Sequence, residues 1–128
     1  MTLGRLAGHV AELPVMITAA LTQDELDFAT RKMEPFVPKS TAELLSTLDA
    51  KVAEALDLLV SQGDDQMGTK WRLRHADRIF LELPRAAVIR TMALNHMIHH
   101  RGQLSVYLRL LDVPLPPIYG PTADEQTF

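Results

Sequence analysis

The sequence predicts an all-α protein: one domain over residues 1–128, a helical bundle with about three long helices and a short β-hairpin-like insertion before the last. Three observations predict it. Apolar residues recur at spacings of three and four over residues 2–21, 44–60 and 88–111, which makes one apolar face per helix. Thr22 with Glu25, and Ser40 with Glu43, have the capping-box pattern of a hydroxyl followed one turn later by a carboxylate. Alternation of apolar and polar residues is confined to residues 71–83.

The first helix is expected over residues 2–21, with Leu3, Leu6, Val10, Leu13 and Ile17 as its stripe. Pro14 lacks an N–H and crowds the preceding turn, so a kink is expected there, or a break that restarts the helix. The Thr22 capping box predicts a short helical turn to about Thr30, followed by an irregular stretch around Pro35 and Pro38. The Ser40 box opens a better helix whose buried side is Leu44, Leu45, Leu48, Val52, Leu56, Leu59 and Val60, with Lys51 largely off it and Gly63 as C-terminal cap. Residues 71–74 and 78–83 read as a hairpin turning at His75-Ala-Asp77, with Trp71, Leu73, Phe80 and Leu83 packed on the helices. Pro84 suits the first turn of the longest helix, which runs to about Leu111. Gly102 is costly inside it, and a helix passing close by would explain it. The proline-rich residues 113–121 should lie extended across the bundle, anchored by Ile118 and Tyr119, with a frayed acidic end from Asp124.

Composition excludes several functions. A net charge of -3 with no concentrated basic surface gives no reason to expect nucleic acid. Without cysteine there is no disulfide framework, thiolate metal site or cysteine nucleophile. No apolar run of about eighteen residues predicts a membrane span, and the start has no signal-peptide layout. A cytoplasmic protein without nucleic-acid or membrane partners is the expectation.

The chemistry lies in the histidines. His96 and His100 are one turn apart on the last helix, where core residues should be, and His9 lies close to the stripe of the first helix. An antiparallel bundle could bring the three together. Neutral imidazoles suit zinc, nickel, copper and iron, and three protein ligands leave a position open for water or substrate. Inward histidines that merely satisfy the core, or a pair on a surface, are the competing reading. Glu12 could orient His9 or act as a base, or be a solvated charge. Arg101 and Gln103 could bind substrate or fix the site, or be a surface ion pair and a packed polar group. His75 and His99 read as solvent-facing or as supports of the site.

Asn95-His96-x-x-x-His100-Arg101-Gly102-Gln103, followed by an apolar helix and Leu111-Asp-Val-Pro114, resembles the end of the DinB-like (damage-inducible) family, also called DinB/YfiT-like metalloenzymes. Thr2-Leu3-Gly-Arg-Leu6-Ala7-Gly-His9-Val-Ala-Glu resembles the family's second helix, whose histidine is its first metal ligand. The resemblance implies His9, His96 and His100 as ligands of a divalent metal, nickel or zinc, in an up-down-down-up four-helix bundle that is often dimeric. Relatives include thiol-dependent enzymes, bacillithiol S-transferases and a mycothiol-dependent isomerase. Members have a whole helix before the one carrying the first histidine, and this chain begins at that second helix: either the start is truncated or the gene has lost a helix. Apolar surface left open by that difference wants covering, which predicts a homodimer or larger. The function so implied is a metal-dependent, thiol-dependent transferase or hydrolase acting on a small molecule, such as a low-molecular-weight thiol. The alternative is a non-enzymatic dimerising or partner-binding bundle that retains the histidines. Nucleic-acid binding is suggested by the family's name alone, and the acidic balance speaks against it.

Overall fold

The first helix starts where Thr2 caps it: the hydroxyl accepts the backbone N–H of Arg5 at 3.3 Å. The computed structural model describes residues 1–31 and 34–125. Helix α1 is Leu3–Glu12, and after Leu13 and Pro14 the chain restarts as α2, Val15–Thr22. Pro14 breaks the rod as expected, yet Leu13 and Pro14 both keep right-handed helical dihedrals. The two helices therefore act as one interrupted rod in the middle of the bundle. Helix α3 (Thr41–Ser61) packs against both halves of it, and α5 (His96–Leu110) packs against α1. Gly8 faces the segment around Phe36 so closely that a methyl group there would overlap the Phe36 carbonyl oxygen.

The first departure from the all-α expectation follows α2. Thr22 ends that helix, its hydroxyl donating back to the Thr18 carbonyl at 2.7 Å, and Gln23 is extended. The residues after it form strand β1, Glu25–Asp27, where a helical turn was expected. Sheet pairing overrides the local capping signal: Asp24 accepts the Arg72 backbone N–H at 3.1 Å, and the Glu25 carboxylate binds Arg74 at 2.6 Å. The protein is thus mostly helical with a small three-stranded sheet, ordered β1-β2-β3.

The hairpin formed as expected: β2 is Lys70–His75 and β3 is Arg78–Pro84, turning at Ala76 and Asp77 with Ala76 in the left-handed region (φ 50). β1 runs parallel to β2, with Leu26 opposite Leu73, and β3 runs antiparallel, with Trp71 opposite Leu83 and Leu73 opposite Leu81. Phe80 does not pack on the helices; it is 49% exposed, with the Arg78 guanidinium 5.3 Å from its ring centre. Successive residues of a strand face opposite ways, so Phe80 cannot share the inner face of Leu81 and Leu83.

Helix α3 starts at the expected cap, Ser40 accepting the Glu43 N–H at 3.1 Å, but its face and its end differ from expectation. Leu44, Leu48, Lys51, Ala55 and Leu58 look toward the central rod, whereas Leu45, Val52, Leu56 and Val60 are exposed, Val60 to 88%. Gly63 is no left-handed cap; Gln62 ends the helix extended and Gly63 has φ -61.

The last helix is three pieces. Pro84 precedes a short α4, Arg85–Val88, which passes into a π-helical segment, Ile89–Asn95, and then into α5. Gly102 has open space around it among the described residues, so no neighbouring helix accounts for it. Ile118 and Tyr119 are exposed, the latter to 83%, and neither is a buried anchor among the described residues. The tail instead closes on Asp124, which is not frayed: it pairs with Arg109 and accepts the Leu115 backbone N–H at 2.9 Å. A carboxylate with charged and backbone donors fixes a loop that has no apolar anchor.

The core sits where sheet and helices meet. Trp71 is fully buried among Ile17, Ala20, Leu21, Val88 and Ala93, and its indole N–H donates to the Ala19 carbonyl at 3.3 Å. Beside it lies Arg85, only 5% exposed, whose guanidinium donates to the carbonyls of Ala20 and Gln23, to Thr69 Oγ1 at 2.7 Å and to Asp24. Those carbonyls are the unpaired end of α2. Replacing Arg85 with Met keeps the stem but orphans them, and should lower the urea unfolding free energy by about 2–4 kcal/mol. Asp24→Asn should cost much less, because that carboxylate is solvent-exposed.

Candidate metal centre

His9 leaves α1 on the side facing α5, and His96 and His100 leave the first turns of α5 on the side facing α1. A row of residues four apart drifts around an α-helix. The wide turns of the π segment take up the opposite drift, so Val88, Met92, His96 and His100 stay on the side that packs inward. Val88 is buried in the core, Met92 is half-buried against it, and the two histidines continue the row beyond the core's edge.

All three histidines offer a ring nitrogen, and these nitrogens lie within 4.8 Å of one another. His9 meets His96 and His100 edge-on, with ring centres 5.1 and 4.6 Å apart. The Nε2 atoms of His96 and His100 face each other at 2.8 Å. Nδ1 of His100 donates to Gln103 Oε1 at 2.7 Å. With its Nδ1 proton so committed, a neutral His100 presents an Nε2 lone pair to His96, and that lone pair calls for a proton or a cation. Among the described residues, this is the cluster of His, Cys, Asp and Glu able to hold a metal ion.

Burial and neighbouring charges favour the neutral form of His9 and His96. His9 is pushed down to about 4, first by burial, then by His100, His96 and Arg5. His96 is also lowered, by burial and by His100. Neutral imidazole is the form that binds a metal, so protons compete weakly at pH 7.

The other sequence-selected residues fall into place unequally. Gln103 holds His100. Glu12 does not touch His9 but pairs with Arg5 at 3.3 Å, and Arg5 also reaches the Phe36 carbonyl at 3.5 Å. Arg101 and His75 are exposed; His99 is exposed too, with its ring 4.9 Å from that of His100. The triad opens on a cavity of about 410 Å³ lined by His9, His96, Glu12 and Met92 and by residues the sequence did not single out, Arg5 and Lys51 among them. Arg5 had a legible signal, being one turn before His9 and two before Glu12. Lys51 had none, because a lone lysine among the charged residues of α3 reads as part of its solvated side.

For His9 the folded form resists protonation more than the unfolded chain does. Its contribution to stability is therefore complete above about pH 6.5 and is lost as pH falls from there toward 4. The metal-free protein should lose urea resistance on going from about pH 7 to about pH 5, and His9→Gln should flatten that slope; equal slopes for the two proteins would contradict the assignment.

The DinB family model matches residues 1–127. The crystal structure of a DinB-like protein from Bacillus cereus ATCC 10987 is similar in fold, with a TM-score of 0.58 at 23% identity, over 93% of this chain and 74% of that one. No curated protein matches the chain.

Proposed function

The chain belongs to the DinB family, and from that premise we propose that it binds one divalent metal ion at His9, His96 and His100 and acts as a metal-dependent transferase or hydrolase. The observation that carries this reading is the meeting of three imidazoles, with the Nε2 atoms of His96 and His100 facing each other at 2.8 Å and the outer nitrogen of His100 tied to Gln103. Three imidazoles without a thiolate suit zinc or nickel. When bound, such an ion supplies Lewis acidity, lowering the pKa of a thiol or water in its open position.

The chain's own residues do the rest. Gln103 Oε1 holds the Nδ1 proton of His100 and so keeps Nε2 as the donor atom. Glu12 is the carboxylate on the cavity wall, steadied by Arg5, and is our candidate to receive the proton of the activated group. Arg101, exposed one residue past His100, is our candidate to meet a charged part of the substrate. A low-molecular-weight thiol is the proposed co-substrate, and the cytoplasm, where such thiols stay reduced, is the proposed location. No helix among the described residues is long and apolar enough to cross a membrane.

A second reading rests on the exposed stripe of α3, where Leu45, Val52, Leu56 and Val60 lie uncovered. Such a stripe fits a dimer face, and the fold could serve as a dimerising module with or without catalysis. A homodimer is proposed under both readings.

Protein purified without a histidine tag should carry about one zinc or nickel per chain, and His100→Ala should weaken metal binding about tenfold or more. Near-zero metal that added zinc or nickel cannot restore would overturn the proposal. With metal bound, a screen of thiols against electrophilic acceptors should find turnover that His100→Ala abolishes; a metal-loaded protein inert throughout would favour the module. In sedimentation the chain should run as a dimer and Leu56→Glu as a monomer of unchanged helix content, whereas a monomeric parent would remove the dimer from both readings.

A further inference from the structure

The cavity beside the triad has a chemical character of its own. Its floor is apolar, with Met16, Phe28 and Met92, and its walls carry Arg5, Arg31 and Lys51. Glu12 and Glu34 also line it, and Arg5 is already paired with Glu12. Lys51 and Arg31 form no ion pair or hydrogen bond among the described residues. Lys51 is the odder of the two. It sits in the middle of α3 on the face turned to the central rod, half-buried, where Leu48 and Ala55 are its neighbours along the face. A lysine stem can cover apolar surface while its ammonium stays wet. Here Lys51 lines the cavity that His9 and His96 also line.

An apolar floor with unpaired cations on the rim complements one kind of molecule. With Arg5 and Glu12 offsetting each other, Lys51 and Arg31 outweigh the single carboxylate of Glu34, so a neutral apolar ligand would leave a positive excess unmatched and a cationic ligand would be disfavoured by it. A carboxylate head would pair with both in a partly desolvated place, where such contacts are stronger than in open water. Its apolar body would cover Met16, Phe28 and Met92, leaving the far end of the molecule toward His9 and His96.

We propose that this cavity takes a small molecule with an apolar body and a carboxylate head, held by Lys51 and Arg31 beside the metal centre. As the substrate pocket of that centre it rests on the metal-dependent reading above, but binding of the carboxylate does not require the ion.

The test uses the full chain after EDTA treatment, with octanoate, octanol and octylamine as probes and backbone amide shifts as the readout. Octanoate should bind about tenfold more tightly than octanol and shift the amides of Met16, Phe28 and Met92. Octylamine should bind weakest. Lys51→Met should abolish the preference for octanoate while leaving zinc stoichiometry unchanged, and Lys51→Arg should keep it. Equal affinities for octanoate and octanol, shifts confined to other parts of the molecule, or no shifts at all would overturn the proposal. The two readings fail separately. A protein that prefers octanoate but never binds zinc or nickel refutes the metal centre alone, and one that binds zinc without that preference refutes the carboxylate pocket alone.

Discussion

The Arg85 guanidinium is the tie on which the rest of the structure hangs. It gathers the last carbonyls of α2, the carboxylate of Asp24 before β1 and the hydroxyl of Thr69 before β2, and it is itself the first residue of α4. One side chain therefore joins the end of the central rod, both strand entries and the start of the helix that carries two histidines. A buried cation is costly unless its hydrogen bonds are made, and here the partners are carbonyls that no helix could satisfy internally. Positive charge at the C-terminal end of α2 also meets the negative end of that helix's dipole. Trp71 reinforces the same junction, giving its N–H to Ala19 one residue earlier.

From that junction the metal centre is placed by counting. Pro14 separates α2 from α1 without turning the chain out of helical conformation, so His9 lies back along the rod from the Arg85 tie. His96 lies eleven residues forward of Arg85 on the opposing element. The π segment between them sets which way His96 faces. Without the wide turns, the same four-residue row would drift around the helix and leave His100 aimed away from α1. π segments are often found next to functional sites, and here the reason is mechanical.

The three histidines were legible in the sequence because their chemistry and their periodicity agree: polar side chains with metal-binding nitrogens stand at positions where a helix should be apolar. The break at Pro14, the Ser40 cap and the hairpin were legible for the same kind of reason, each being dictated by covalent geometry or by a local hydrogen bond. What could not be read depends on distant partners. The Thr22 box looked like a helix start, yet Glu25 is drawn to Arg74 across the sheet. The face of α3 was misjudged because hydrophobicity marks the sides a helix wants covered, and the chain covers only one. Lys51 and Ala55 face inward there, while leucines of equal periodicity face out. Arg85 carried no signal at all, since a single arginine after a proline reads as surface. The π segment was equally invisible, because no residue type demands it.

The distribution of the core bears on what an ion would do. The buried cluster runs from Ile17 through Trp71 to Ala93 and draws on α2, the sheet, α3, α4 and the π segment. Helix α5 has no fully buried residue, while α1 buries Leu6, Gly8 and Ala11 outside that cluster. Between α1 and α5 stand the three imidazoles, with Tyr107 donating to the Met1 carbonyl at 2.9 Å farther along. Two of those imidazoles face each other through their Nε2 atoms, and a cation shared with His9 would tie both of them to α1. A ligand that binds the folded state alone stabilises it in proportion to the logarithm of its concentration over its dissociation constant. An ion held by His9 together with His96 and His100 would add a link between α1 and α5, and so stabilise the packing of the two helices that carry the site.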